Sequence, residues 1–307
     1  MSRKKVTRVE VRAFSPKVDF FFNILIALFA ISCLVPFIFV IIISLTSEVS
    51  LAEHGYSFFP QEWSFAAYEY IFAGQMSEKI FRAFGVTIFV TVFGTLVNAS
   101  ITSLYAYAIS RSNFPFRKFF TMFALVTMLF SPGMVANYIV MTNMLHLKDT
   151  IWALILPMAL GPFNILVMRT FFKKTVPDSI IESARIDGAG EMRIFMKIVL
   201  PLAVPGIATI SLFAALGYWN DWFNALLYIQ NDNLVPLQYL LMKIQNNLDY
   251  LAKSTGMGSQ IAGGLAALPS ESARMAIVVV STLPIALSYP FFQKYFVGGL
   301  TIGGVKE

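Results

Sequence analysis

Cysteine, histidine and charge are all scarce in this chain. Its single cysteine, Cys33, excludes an internal disulfide, and the two histidines, His54 and His146, stand too far apart to make a metal-binding pair. Only 13% of the 307 residues are charged, against about 25% in an ordinary soluble domain. HExxH and GxSxG patterns are missing, and no aspartate pair sits within an apolar run, so intramembrane catalysis is not expected. Gly258-x4-Gly263 has the spacing of a phosphate loop, but Gly264 stands where lysine is needed and no strand precedes it. Neither an internal repeat nor a low-complexity stretch appears, which leaves an inverted-repeat carrier without direct support.

What the chain has in abundance is apolar sequence: 57% of residues are hydrophobic and the mean hydropathy is +0.69. These values mark an integral membrane protein. After a basic tail (residues 1–19), residues 20–45 form an uncharged run long enough to cross about 30 Å of hydrocarbon as a helix. Ala30-Ile31-Ser32-Cys33 is a poor lipoprotein-type cleavage box, and the run continues well past Cys33, so a first transmembrane helix is the better reading. Residues 46–79 are polar, aromatic and acidic, and read as an ordered extracytoplasmic segment. Five more apolar runs follow within a core at 80–297, near 81–109, 116–141, 151–172, 201–229 and 275–296. Pro132, Pro157, Pro162 and Pro284 should kink or break them. The expected fold class is all-α and polytopic, with six transmembrane helices.

Net charge is +6, but the placement of the charges argues against nucleic acid. Of 23 Lys and Arg, all but Lys79, Arg82, Lys148, Lys243, Lys253 and Arg274 fall on the tail, the 110–118 loop, the 169–200 loop or the C-terminal end. The positive-inside rule makes those regions cytoplasmic, so both termini are expected inside.

The densest charge lies in 176–200, between two long uncharged runs. Pro177 suits a helix start, Ser179-x-x-Glu182 has capping-box spacing, and Ala184 and Gly188 are four apart, as on one small-residue face. Gly188 and Gly190 are natural turn points. Glu182-Ser183-Ala184, Asp187-Gly188-Ala189, Phe195, Ile198, Leu200-Pro201 and Pro205 together resemble the EAA loop of ABC importer permeases, with Ser183 replacing the middle alanine. Ser103-x-Tyr105-Ala106-Tyr107-Ala108-x-Ser110-Arg111, Trp219-Asn220-Asp221-Trp222 and the ending from Leu283-Pro284 to Lys306 are similar to the MalG-related carbohydrate group and its LplC-type oligosaccharide branch.

That resemblance implies a type I importer permease of MetI-like fold that works with a second homologous permease, expected as a heterodimer. Its other partners would be two ATPase subunits, an extracytoplasmic solute-binding protein, a carbohydrate substrate and membrane lipid. ATP and Mg would belong to the ATPase, and this chain would bind no cofactor. Glu182 would meet a basic residue in the ATPase cleft, with Ser183, Ala184, Asp187, Gly188, Ala189, Phe195 and Pro201 completing the coupling element. The cytoplasmic tail 298–307, with Gly303, Gly304 and Lys306, would also touch the ATPase. The 230–272 loop, with Asp249, Lys253, Gly256, Gly258, Gly263 and Gly264, would by position reach the binding protein; a plain surface loop is the other reading.

Polar groups near spans give a candidate path: Asn137, Tyr138, Asn143, Tyr218, Trp219, Asn220, Asp221 and Asn224. Amides and a carboxylate could replace water on sugar hydroxyls while rings cover apolar sugar faces. The same residues also fit an interfacial aromatic belt with hydrogen bonds between helices. A six-helix secondary carrier or channel needing no ATPase is the alternative function.

Overall fold

The computed structural model describes residues 16–73, 77–254 and 270–304. In chain order the helices are α1 (Pro16–Ser44), α2 (Glu48–His54), α3 (Ala66–Phe72), α4 (Ser77–Ser110), α5 (Arg117–Leu129) and α6 (Gly133–Ile139, continued by a π turn Val140–Met144). Next come α7 (Trp152–Ile155, tightening into a 3-10 turn Leu156–Met158), α8 (Pro162–Thr175) and α9 (Asp178–Ile186). After α9 the chain forms α10 (Glu191–Ile194) and α11 (Leu200–Leu202), which flank a π turn at Phe195–Val199. The last are α12 (Val204–Trp219), α13 (Phe223–Tyr228), α14 (Leu237–Ser254) and α15 (Ser270–Gly304). Among the described residues the only β pairing is an isolated bridge, Thr46 to Trp63.

Among the described residues, three helices are long and apolar enough to cross a membrane: Lys17–Ser44, Ser77–Ser110 and Glu271–Ser288. Three bent pairs qualify if each counts as one span: Arg117–Leu129 with Gly133–Met144 (117°), Trp152–Met158 with Pro162–Thr175 (53°), and Glu191–Leu202 with Val204–Trp219 (82°). Length and composition therefore allow three to six spans. The breaks have local causes. At 130–132 the chain leaves the helix at Ser131-Pro132 and restarts through Gly133, whose φ of +82° suits glycine. The run at 201–229 is divided twice, at Ala203 between two prolines and at 220–222, where Asn and Asp side chains bond locally instead of continuing the helix.

Contacts divide the chain into two compact units, residues 1–67 with 269–279 and residues 68–268 with 280–307. In the first unit the Glu48 carboxylate accepts the backbone N–H groups of Glu271 and Ser272, at 3.0 and 3.1 Å, and the Ser272 hydroxyl at 2.9 Å. It thereby satisfies orphan donors at the start of α15, where a negative charge also suits the helix dipole. The Tyr56 hydroxyl donates to Glu271 at 2.7 Å, which raises the pKa of that phenol.

The second unit is built around α4, which packs on α12 and α8 and touches α5, α7 and α14. Close approach is set by Gly94: a Cβ there would lie 2.7 Å from the ring of Tyr218 on α12. The Tyr218 hydroxyl continues across to the carbonyl of Ile155 at 2.8 Å, and the Asn98 amide donates to the carbonyl of Met158 at 2.8 Å. Such cross-helix bonds suit a low-dielectric setting, where an unpaired polar atom is costly. The segment 230–272, expected as a long loop, instead contains the 18-residue α14. Its apolar residues Leu237, Leu240, Leu241 and Ile244 recur at helical spacing and are buried, a half-polar pattern that does not register as an apolar run.

Candidate coupling site

The charged stretch after α8 folds as a short helix, a turn and a second helix. α9 buries Ile181 and Ala184 against Phe172, Val176, Ile194 and Phe195 in one apolar cluster. Its other side exposes Glu182 and Ser183, and the turn beyond exposes Asp187 and Gly188. Gly188 follows the helix at φ +79°. Gly188 N–H donates to Arg185 O at 3.0 Å and Ala189 N–H to Ala184 O at 2.9 Å, the paired bonds of a Schellman ending with glycine in the left-handed position. Arg185 Nε then bridges the turn to Glu191 at 2.7 Å.

Two sequence expectations are corrected here. The capping box does not form: the helix begins at Asp178 with Pro177 as its N-cap and no side-chain cap bond, so Ser179 already lies inside the first turn. The Ser183 hydroxyl, in turn, donates back to the carbonyl of Ser179 at 2.9 Å. Ala184 and Gly188 do not form a joint small-residue face either. Ala184 is spent on the chain's own core, and Gly188 is the turn residue beyond the helix. Phe195 is buried, Ala189 half-buried and Pro201 exposed.

Sequence reasoning missed what holds this element in place. Arg111, 6% exposed, projects from the end of α4 into the α8–α9 junction. Its guanidinium donates to Asp178 at 2.9 Å, to the carbonyls of Val176 and Phe172 at 3.3 Å each, and to the Ser110 hydroxyl at 2.9 Å. It also lies 5.4 Å from the centroid of the Tyr107 ring. Burial lowers the Arg111 pKa while Asp178 pulls it upward. Two carbonyls at the end of α8, of which that of Phe172 also accepts the Val176 N–H, and an acid in the first turn of α9 thus share one cation. The signal available in the sequence was a lone arginine directly after the uncharged run 83–110 of α4. Also missed was an exposed apolar rim, Ile180, Ile186 (86% exposed), Met192 and Met196, around the acidic positions.

The candidate path residues are only partly brought together. Tyr218 (3% exposed) and Trp219 are buried, and their polar atoms are committed to Ile155 and, at 3.0 Å, to the carbonyl of Ser281. Cross-helix bonding accounts for both. Asp221 accepts the backbone and side-chain N–H of Asn224, at 3.1 and 2.8 Å, which caps α13. The exposed Asn220 amide donates to Leu216 O. Tyr138 stacks on Tyr228, with centroids 5.9 Å apart, placing α6 beside α13. Asn137 and Asn143 are exposed. Nearby, the Asp149 carboxylate accepts the backbone N–H of Asn231 at 2.7 Å and of Gln230 at 2.9 Å, which lowers its pKa.

Asp249 and Lys253 lie within α14, where their side chains fall outside the description, and Gly256, Gly258, Gly263 and Gly264 lie outside the described residues. Gly303 and Gly304 end α15; Lys306 lies outside the described residues. Among the described residues, no group of three or more His, Cys, Asp or Glu could hold a metal ion.

Residues 99–301, which include this candidate site, match the family described as binding-protein-dependent transport system inner membrane component. The chain belongs to this family. It is a transport permease subunit, the membrane component of a binding-protein-dependent system rather than a catalytic one. The permease is 40% identical over 281 residues to the polygalacturonan/rhamnogalacturonan transport system permease protein YtcP of Bacillus subtilis (strain 168), covering 91% of this chain and 94% of that protein. It is also 40% identical over 273 residues to protein LplC of the same organism, covering 89% of each. Its fold matches, with a TM-score of 0.77 and 30% identity, a crystal structure of a bacterial ABC transporter involved in the import of the acidic polysaccharide alginate, covering 93% of this permease and 100% of that chain. These relatives lend no support to a carrier or channel that works without an ATPase.

Proposed function

We propose that this permease is one of two transmembrane subunits of an ATP-driven importer of carbohydrate, an oligosaccharide handed over by an extracytoplasmic binding protein. The relatives named for polygalacturonan, rhamnogalacturonan and alginate put uronate-rich fragments first among substrates to test. The reading takes six spans, both termini in the cytoplasm, and α9 facing inward. ATP and Mg bind a separate ATPase pair, and closure of that pair on nucleotide displaces α9. Alternating access is then a two-state change biased by nucleotide on one side and loaded binding protein on the other.

One observation carries the coupling role: the exposed edge of α9 combines acid (Glu182, Asp187) with an apolar rim (Ile186, Met192) on a helix whose other face is fixed in the core. An element seated in a moving cleft must be rigid on one side and free on the other. Glu182 suits a basic cleft residue, and its carboxylate makes no hydrogen bond among the described residues, so reversing its charge breaks none. Glu182→Lys should therefore reach the membrane at normal level and lower substrate uptake roughly tenfold or more, in the range of a lost interface hot spot. Unchanged uptake and unchanged ATPase co-purification by that variant would remove α9 from the coupling role.

A further inference from the structure

Beside the Arg111–Asp178 pair, at the junction of α4, α5 and α8, lies a cavity of about 260 Å³. Ser110, Arg111, Ser112, Arg117, Lys173 and Asp178 line it. We propose that this basic cup binds a phosphate-class anion, and that its occupant in the cell is the headgroup of an anionic phospholipid.

The argument begins with unbalanced charge. Three cations face one carboxylate, and that carboxylate is already paired with Arg111 at 2.9 Å. Neither Arg117 nor Lys173 forms an ion pair among the described residues. The helix ends add to the imbalance. α5 opens with Arg117-Lys118 and no side-chain cap, although the start of a helix carries partial positive charge and favours anions. Packed against it is α8, with Lys173 and Lys174 in its last turn. An anion seated in the cup would answer the two unpaired cations together, beside the positive end of α5.

The surroundings select a lipid over a soluble phosphate. From the cup onward α5 is apolar and exposes Phe119, Met122, Phe123 and Val126 at i, i+3, i+4 and i+7. The stripe lies on the opposite side of α5 from Arg117, so the helix that lines the basic cup also presents an apolar outer surface that acyl chains can cover. A basic pocket at a span end is the expected form of a headgroup site.

The test uses the full-length permease purified in detergent, with lipid retention followed by native mass spectrometry and thermal stability measured alongside. Phosphatidylglycerol should be retained over phosphatidylcholine. Arg117→Gln/Lys173→Gln should lower that retention roughly tenfold or more, while Arg117→Lys/Lys173→Arg preserves it. The charge-matched control Lys79→Gln/Lys148→Gln should also preserve it. Stabilisation by inorganic phosphate that the double glutamine variant loses, without selective phosphatidylglycerol retention, would keep the anion site and overturn its lipid occupant. Equal retention and equal phosphate response in wild type and double glutamine variant, or equal losses in the control pair, would overturn the site. These outcomes are independent of uptake, so they leave the coupling role of α9 untouched.

Discussion

At Gly94 a single absent methyl group sets how closely α4 approaches α12. The Tyr218 ring occupies the space a Cβ would need, so Gly94→Ala must push the ring or the helix aside. Overpacking of this kind costs about 1–3 kcal/mol, and thermal unfolding in detergent should show the loss. Asp221 is a second residue whose role follows from its contacts. As the acceptor for both N–H groups of Asn224 it acts as a cap, and Asp221→Ala should cost about 1 kcal/mol. Asp221→Asn can still accept and should retain most of the stability together with uptake. Wild-type stability of the alanine variant with abolished uptake would instead return Asp221 to the sugar path. Asp149 carries a pH signature. Its folded pKa lies below the usual 3.8 because two backbone N–H groups bond the carboxylate. Its stabilising contribution is therefore complete above the unfolded pKa and declines as pH falls through the folded one. A stability gap between wild type and Asp149→Ala should be present near about pH 6 and shrink in acid; a gap constant with pH would contradict this assignment.

Among the elements, α9 depends on residues far from it in sequence. Arg111 ties the end of α4 to the end of α8 and the start of α9, so under the proposed coupling a displacement of α9 would be passed to the helix at the centre of the larger unit. Arg111→Lys keeps the charge but loses the planar fork that reaches several acceptors at once. Faster hydrogen exchange over 176–187, with unchanged exchange in α12, is the expected result. Equal exchange in wild type and variant would mean that apolar packing of Ile181 and Ala184 alone holds the helix. The bent pairs break where backbone donors are missing: prolines at 132, 162, 201 and 205 stand at or beside bends of 117°, 53° and 82°.

For the whole molecule the open physical question is sidedness, which follows from the distribution of lysine and arginine. The lone cysteine makes it testable. In a Cys33→Ser background, Asp187→Cys should react with an impermeant thiol reagent only from the cytoplasmic side, and Ser57→Cys only from outside. Both positions are exposed. The reverse pattern would place α9 away from any ATPase and end the coupling proposal.

Much of this permease was legible before its structure. Scarce charge and long apolar runs determine that the chain lives in a membrane, because hydrocarbon excludes charge by a wide margin. The cluster 176–205 resembles a known coupling loop in residue types and spacing, which belong to the sequence itself. Helical segments, prolines at breaks and glycine at the turn are likewise local properties. The tertiary structure decided which polar groups were already spent. Tyr218 and Trp219 looked available and proved committed, Ala184 proved to be core, and Arg111 became the pin of the α8–α9 junction. It also showed α14 where an unbroken loop was expected, since a helix half buried and half wet carries no apolar run. The physical reason is common to all of these: hydropathy and local propensity act along the chain, whereas the partner of a buried donor or carboxylate is fixed only when distant helices meet.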